Sequence, residues 1–324
     1  MMEPLLEKQP NRYVLYPIKY EDIWEFYKKQ MTAFWTAEEI DFSADLNDWE
    51  QLNEQEKTLI ENVLAFFAGS DGIIFENINN NFSEEIEIPE VRCCYGFQAA
   101  MENIHSETYS LMINTLIKCP KRRDELFDAI NKIDAVKGKA EWATKYLDKH
   151  KASFAERLLA FAIVEGVFFS GSFCVIFWLK YVKGKMTKAL AKSNELIARD
   201  EGMHTDFAVL LYTKYLNNKL PQSRVDDIIT EAVNLEMEFI CDSLKCNLIG
   251  INQVNMKQYI KYVADRLLTQ LGYNKIYNEE CPFDFMIPSS LDGKSNFFEQ
   301  RVSEYNRAEQ INKGLDSVEI LDDF

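Results

Sequence analysis

Turn-forming residues are scarce in this chain: 12 glycines and 8 prolines stand among 324 residues. Alternation of β-branched and polar residues, the mark of half-buried strands, is nearly absent as well. The two shortages exclude a sandwich or barrel, which needs frequent turns between short strands. Cysteine is present without pattern. Cys93, Cys94, Cys119, Cys174, Cys241, Cys246 and Cys281 form no C-x-x-C pair, and an odd count in a long chain fits a reducing compartment. Residues 1–10 lack the apolar run of a secretory signal, so a cytoplasmic location is expected. Positive charge is outweighed, with 36 Lys and Arg against 52 Asp and Glu. The resulting net charge of -16 argues against a nucleic-acid surface. Histidine is rarer still, with three copies.

What the chain has is apolar helix. Its 47% hydrophobic and 13% aromatic content is ample for a packed core and rules out wholesale disorder. The spacing predicts an amphipathic helix over 20–33 and a capped start at Asn53 leading to a helix that carries Asp71. A Pro89 start opens the helix of Glu102, His105 and Tyr109, and another helix is expected over about 122–149. Ser153 is placed to cap a helix with Glu165, followed by helices over 190–216, 224–244 and 256–271. No linker-like stretch divides the chain. A single all-α domain over 1–315 is therefore expected, followed by an acidic tail over 316–324.

The run 158–181 is apolar enough to raise a membrane span. Glu165 lies inside it, with Gly166 and Gly171, and no second span follows. A helix apolar all round is also what the centre of a large bundle requires. The expectation is a buried helix and no membrane partner, because the carboxylate has a use there.

That use comes from two strings, Glu102-Asn103-Ile104-His105 and Glu201-Gly202-Met203-His204, set 99 residues apart. Residues i and i+3 of a helix share a face, so each string aims a carboxylate and an imidazole at one point. Asp71 and Glu165, 94 residues apart, interrupt apolar runs of their own. Four carboxylates and two imidazoles from four helices form the ligand set of the ferritin-like dinuclear carboxylate proteins. Taken singly, each carboxylate could equally cap, pair or face water; the duplication at matched spacing needs a common cause. Oxygen-rich ligation with one imidazole per ion suits iron or manganese better than zinc. His150 has no such acidic partner and reads as surface. Tyr109, four residues beyond His105, shares the ligand face and brings a phenol beside the metals. Phe169 and Phe173, four and eight residues beyond Glu165, are placed to surround it with apolar rings, or are simply core.

From about 11 to 307 the sequence resembles the small, radical-bearing subunit of eukaryotic-type class I ribonucleotide reductase. The resemblance rests on Ala33-Phe34-Trp35-Thr36, Leu64-Ala65-Phe66-Phe67-Ala68 and Tyr95-Gly96-Phe97-Gln98. It extends through Glu102-Asn103-Ile104-His105-Ser106-Glu107, the run from Val164 to Phe173, Ser193-Asn194-Glu195-Leu196-Ile197, Arg199-Asp200-Glu201-Gly202 and Asn296-Phe297-Phe298-Glu299. It implies a ferritin-like bundle with additional helices and a ribonucleoside-diphosphate reductase activity shared with a large subunit. It also implies two iron ions per chain, with manganese as the alternative, held by Asp71, Glu102, His105, Glu165, Glu201 and His204. Tyr109 would carry the radical, Trp35 and Asp200 would relay it, and Tyr305 would pass it across the interface. A homodimer is implied, with the Phe324-ended tail as anchor on the large subunit. The segment 182–192 is about two residues longer than the family's usual loop, and the spacing of the tail's last acidic residues differs, which bears on the choice of partner. A ferritin-like iron store or oxidase, or a noncatalytic paralogue, are the competing readings. The first leaves Trp35, Asp200 and Tyr305 without purpose, and the second is favoured by an altered ligand set, whereas all six positions are filled.

Overall fold

Helices begin where the sequence supplies caps. In a computed structural model, which describes residues 3–10, 13–244 and 248–287, the Asn53 side chain accepts the N–H of Gln55 and Glu56. Glu56 reaches back to the N–H of Asn53, opening the helix Glu54–Asn77 that bears Asp71. The same reciprocal arrangement opens Phe154–Ile163 at Ser153 and Gln253–Gln270 at Asn252. Pro89 sits at the first position of Pro89–Leu116, where its missing N–H costs nothing. Asp45 caps from a distance. Its carboxylate accepts the N–H groups of Lys188, Ala189 and Leu190 at 3.1, 2.9 and 2.9 Å, at the head of the helix Leu190–Leu210.

The architecture is all-α. Among the described residues there is no strand, only an isolated bridge between Leu248 and Ile251. The Asp71 and Glu102 helices share the most extensive contact in the bundle. The Glu201 helix lies against Phe154–Ile163 and also touches the Glu102 helix. Gln222–Ser243 and Gln253–Gln270 pack on each other and on the chain around Glu165. One continuous apolar cluster runs through these elements, from Leu5 to Met286.

Two expected helices are subdivided. The helix expected over 122–149 is three, Pro120–Phe127, Ala129–Lys132 and Asp134–Lys145. Asp128 leaves helical geometry (φ -101°, ψ 25°) and its side chain accepts the Asn131 amide at 2.7 Å. Short acidic side chains compete with the helix ladder in this way. Ile133 is extended and separates the last two pieces.

The apolar run is likewise interrupted. After Phe154–Ile163 comes a π-helical turn, Val164–Phe168, then a single turn residue, Phe169, that interrupts the ladder with near-helical dihedrals (φ -90°, ψ -14°), and the helix Ser170–Trp178. A second π turn, Leu179–Lys183, ends at Gly184 with φ +62°, a left-handed conformation suited to glycine. Its most apolar 18-residue window is 94% buried within the bundle, as expected of a central helix. The stretch Glu54–Glu85 is also long and apolar enough to cross a membrane, with half of its window buried. Trp142 and Tyr146 are buried, and His150 is exposed as expected.

Candidate metal centre

Glu102 and His105 project from one face of Pro89–Leu116, and Glu201 and His204 from one face of Leu190–Leu210. Their tips meet. His105 Nδ1 lies 3.0 Å from Glu201 Oε1 and 3.5 Å from Glu102 Oε2. His204 Nδ1 lies 3.0 Å from Glu102 Oε1 and 3.1 Å from Glu201 Oε2. Asp71, Glu102 and His105 converge with ligand atoms within 4.8 Å of one another, and Glu102, Glu165, Glu201 and His204 form a second such group. Glu102 belongs to both. All six residues are buried.

Glu165 enters from the π turn, a widened coil common at functional sites. Its Oε1 accepts the Gln98 amide at 2.9 Å. Gln98 sits one helical turn before Glu102 and so shares its face, a signal that i, i+4 spacing offers and sequence reasoning left unused.

Protonation measures how unfavourable so many carboxylates are without counter-charge. Burial, then the neighbouring charge on Glu102, pushes the Asp71 carboxyl well above its ordinary value. Burial, then Glu201 and Glu102, does the same to Glu165. Burial opposes charge on Glu201 too, but the two imidazoles outweigh it and hold that carboxyl low. Burial disfavours the imidazolium of His204, yet Glu102 and Glu201 raise its pKa to about 9. His105 is carried well above its usual value by bonds to Asp200, Glu102 and Glu201, against the effect of burial.

Close approach is not satisfaction. Both oxygens of Asp71 and of Glu102, Glu165 Oε2, Glu201 Oε1 and His105 Nδ1 are buried without an aligned hydrogen-bond partner. Orphaned buried oxygens are costly and rare, and these converge on the same two points. Two cations between them would satisfy the orphans and offset the charge, so the residues fit a dinuclear metal site.

Behind this cluster, His105 Nε2 lies 3.2 Å from Asp200 Oδ2, where an outer carboxylate would orient the imidazole of a metal-binding histidine. The same oxygen accepts the Trp35 indole N–H at 2.7 Å. Asp200 Oδ1 accepts Arg199 Nε and Nη2 at 3.0 and 2.8 Å, and Arg199 also donates to the Ala33 carbonyl. Trp35 is fully buried, while its neighbour Phe34 is 48% exposed, so the chain of contacts ends one residue from the surface.

Tyr109 is buried, and its hydroxyl is without a partner. Burial first, then the charge on Asp71, keeps the phenol protonated far above its ordinary pKa. The ring stacked on it is Phe67, with centroids 4.4 Å apart and planes at 14°. Phe169 and Phe173 pack on Phe67 at 5.6 and 5.3 Å. Phe67 precedes Asp71 by four residues, the spacing that places both on one face. Tyr305 and the tail 316–324 lie outside the described residues.

A model of the family "Ribonucleotide reductase, small chain" matches residues 12–282. The chain belongs to that family. It is 56% identical over 306 residues to the ribonucleoside-diphosphate reductase small chain of Trypanosoma brucei brucei, covering 94% of this chain and 90% of that one. It is 54% identical over 305 residues to ribonucleoside-diphosphate reductase subunit M2 of Homo sapiens, covering 94% and 78%. The fold is similar to the ribonucleotide reductase Rnr4 homodimer from Saccharomyces cerevisiae, with a TM-score of 0.80, 40% identity and 88% and 89% coverage. The bundle is thus of the ferritin-like class that the paired motifs predict.

Proposed function

We propose that this protein is a ribonucleoside-diphosphate reductase small subunit whose Tyr109 is oxidised to a stable radical for use by a large catalytic subunit. The observation that carries this reading is the Tyr109 hydroxyl, buried and unpartnered on the same helix face as Glu102 and His105. Asp71, Glu102 and His105 would hold one iron ion, and Glu102, Glu165, Glu201 and His204 the other. The bound pair supplies one-electron oxidation with dioxygen, which no side chain here performs alone.

The protein's own residues determine the fate of the oxidised phenol. Burial keeps Tyr109 from ionising, so its oxidation releases the hydroxyl proton together with an electron and leaves a neutral phenoxyl group. Phe67, Phe169 and Phe173 exclude water and offer no hydrogen atom as readily removed as a phenol's. Asp200 holds the His105 ring and the Trp35 indole through one oxygen, an electronic contact that would lead outward from the site as far as Trp35. Tyr305 would extend that route to the partner.

The expected assembly is a homodimer, as in the Rnr4 structure it resembles, joined to the large subunit in the cytoplasm. Residues 1–315 act as one domain, and 316–324, ending in Phe324, serve as the anchor. The test is an electron paramagnetic resonance spectrum after anaerobic ferrous loading and exposure to oxygen. A sharp tyrosyl signal is expected. Two bound irons per chain with no organic radical would instead favour a ferritin-like iron oxidase.

A further inference from the structure

A buried charge pair lies away from the metal cluster and from Asp200 behind it. Lys139, on Asp134–Lys145, is 1% exposed and Glu236, on Gln222–Ser243, is 0% exposed; Nζ and Oε2 are 2.5 Å apart. Such a pair is poor evidence of stability, because well-packed apolar residues commonly serve as well. Its other bonds give it a second use. Lys139 Nζ donates to the Phe168 carbonyl at 2.7 Å, and Glu236 Oε1 accepts the Gly171 N–H at 3.0 Å. Phe168 ends the π turn that carries Glu165, and Gly171 lies in the first turn of the next helix. These are the places where a broken helix leaves backbone groups unpaired. The pair therefore bridges both sides of the break.

Position 171 is shaped for this contact. A Cβ there would lie 2.6 Å from Glu236 Oε1 and 2.6 Å from Ile240 Cγ1, so only glycine lets the carboxylate reach the backbone. The ammonium also sits over the Phe66 ring, 3.2 Å from its centroid, and 4.3 Å from that of Phe239. Phe66 packs on Phe169 at 5.5 Å and on Phe67 at 5.9 Å, and Phe67 is the ring stacked on Tyr109.

We propose that Lys139 and Glu236 are positioning residues: they splint the break in the Glu165 helix and so fix the ring wall of Phe66, Phe169 and Phe67 against Tyr109. The link to Tyr109 rests on its being the radical residue; the splint itself does not. Neither charge touches the reacting atoms. Each acts through backbone at the break and through the rings behind Phe67.

The test uses the full-length protein and two double variants that leave no unpaired buried charge. Lys139→Met with Glu236→Leu removes both backbone anchors. Lys139→Met with Glu236→Gln retains an oxygen for the Gly171 N–H. In the metal-free protein, well below its unfolding midpoint, hydrogen exchange of a peptide spanning 165–175 should quicken in the Leu variant. The gain should be about tenfold or more, as when a buried amide loses its acceptor. The Gln variant should show a smaller gain. After iron and oxygen, the Leu variant should bind as much metal as the parent. Its Tyr109 signal should show altered β-methylene splittings and a shorter half-life, because those splittings report ring rotation. Parental exchange, splittings and lifetime in the Leu variant overturn the proposal. If that variant does not fold, the Gln variant decides: it lacks the donor to Phe168, and unchanged exchange there overturns the splint. A parent protein without any tyrosyl signal refutes the functional reading, while the exchange result still judges the splint.

Discussion

Trp35 and Asp200, 165 positions apart in the chain, are joined by a 2.7 Å hydrogen bond from indole Nε1 to Oδ2. The acceptor oxygen is also 3.2 Å from His105 Nε2, so one atom binds the outer tryptophan and the inner imidazole. Asp200→Asn should therefore uncouple the site from Trp35 without emptying it. Nucleotide reduction with the large subunit should fall about tenfold to a hundredfold, the usual cost of losing an outer partner of a ligand imidazole. Metal content, measured by elemental analysis, should stay near that of the parent. Parental turnover in the variant would remove Asp200 from the relay.

Tyr109→Phe changes one buried oxygen that has no hydrogen-bond partner. The variant should fold, bind two metals and show no sharp radical signal; a persistent signal would move the radical to another residue. Phe67→Ala tests the stacked ring. It should cost about 3–5 kcal/mol in denaturant unfolding, as large core truncations do, and shorten the radical's half-life.

Glu102 belongs to both groups of converging ligand atoms, whereas Asp71 belongs to one. Glu102→Ala should lower the occupancy of both metal positions, and Asp71→Ala mainly that of one. Titration with ferrous ion under argon reads the difference. Two full equivalents bound by the Glu102 variant would contradict the shared-ligand arrangement.

The Lys139–Glu236 pair has a pH signature of its own. Burial raises Glu236 to about 7 despite Lys139 and the Gly171 N–H, and burial lowers Lys139 to about 8 despite Glu236. Between the carboxyl's unfolded value and 7 the folded state binds the extra proton, so its contribution to stability falls as pH rises. Between 8 and the unfolded lysine value the unfolded state binds the extra proton, and stability is regained. The stability of the parent relative to Lys139→Met with Glu236→Leu should thus be lowest between about 7 and 8. Urea unfolding at several pH values measures it, and a maximum in that window would contradict the two shifts.

The final segment 316–324 is acidic and carries Ile320, Leu321 and Phe324 as its large apolar side chains. Deleting residues 320–324 should spare folding, metal binding and the radical, but reduce turnover at low subunit concentration. A peptide of the last seven residues should compete with the intact chain. Normal turnover of the truncated protein would assign docking elsewhere.

The doubled Glu-x-x-His motif was readable because a helix converts a spacing of three into a shared face. Ser153, Asn53 and Pro89 likewise announced their helices by local chemistry. The missed features depend on contacts between distant segments or on breaks in the ladder. Lys139 and Glu236 are 97 residues apart and each resembles an ordinary charged position on an amphipathic helix. The π turn at Glu165 leaves an apolar run looking continuous. Asp128 divided a helix because its side chain found Asn131, a competition that spacing alone does not reveal. The stacking of Phe67 on Tyr109 depends on how two helices cross, although its spacing from Asp71 placed it on the correct face.

Because one carboxylate, Glu102, reaches into both ligand groups, the two halves of the centre are not independent vessels. An ion held by Asp71, Glu102 and His105 would draw Glu102 out of its contact with the His204 imidazole and fix a carboxylate that the other position shares. Loading should then be cooperative. At substoichiometric metal the population should divide into empty and filled chains, with half-filled ones scarce. A starved cell would keep fewer but complete subunits.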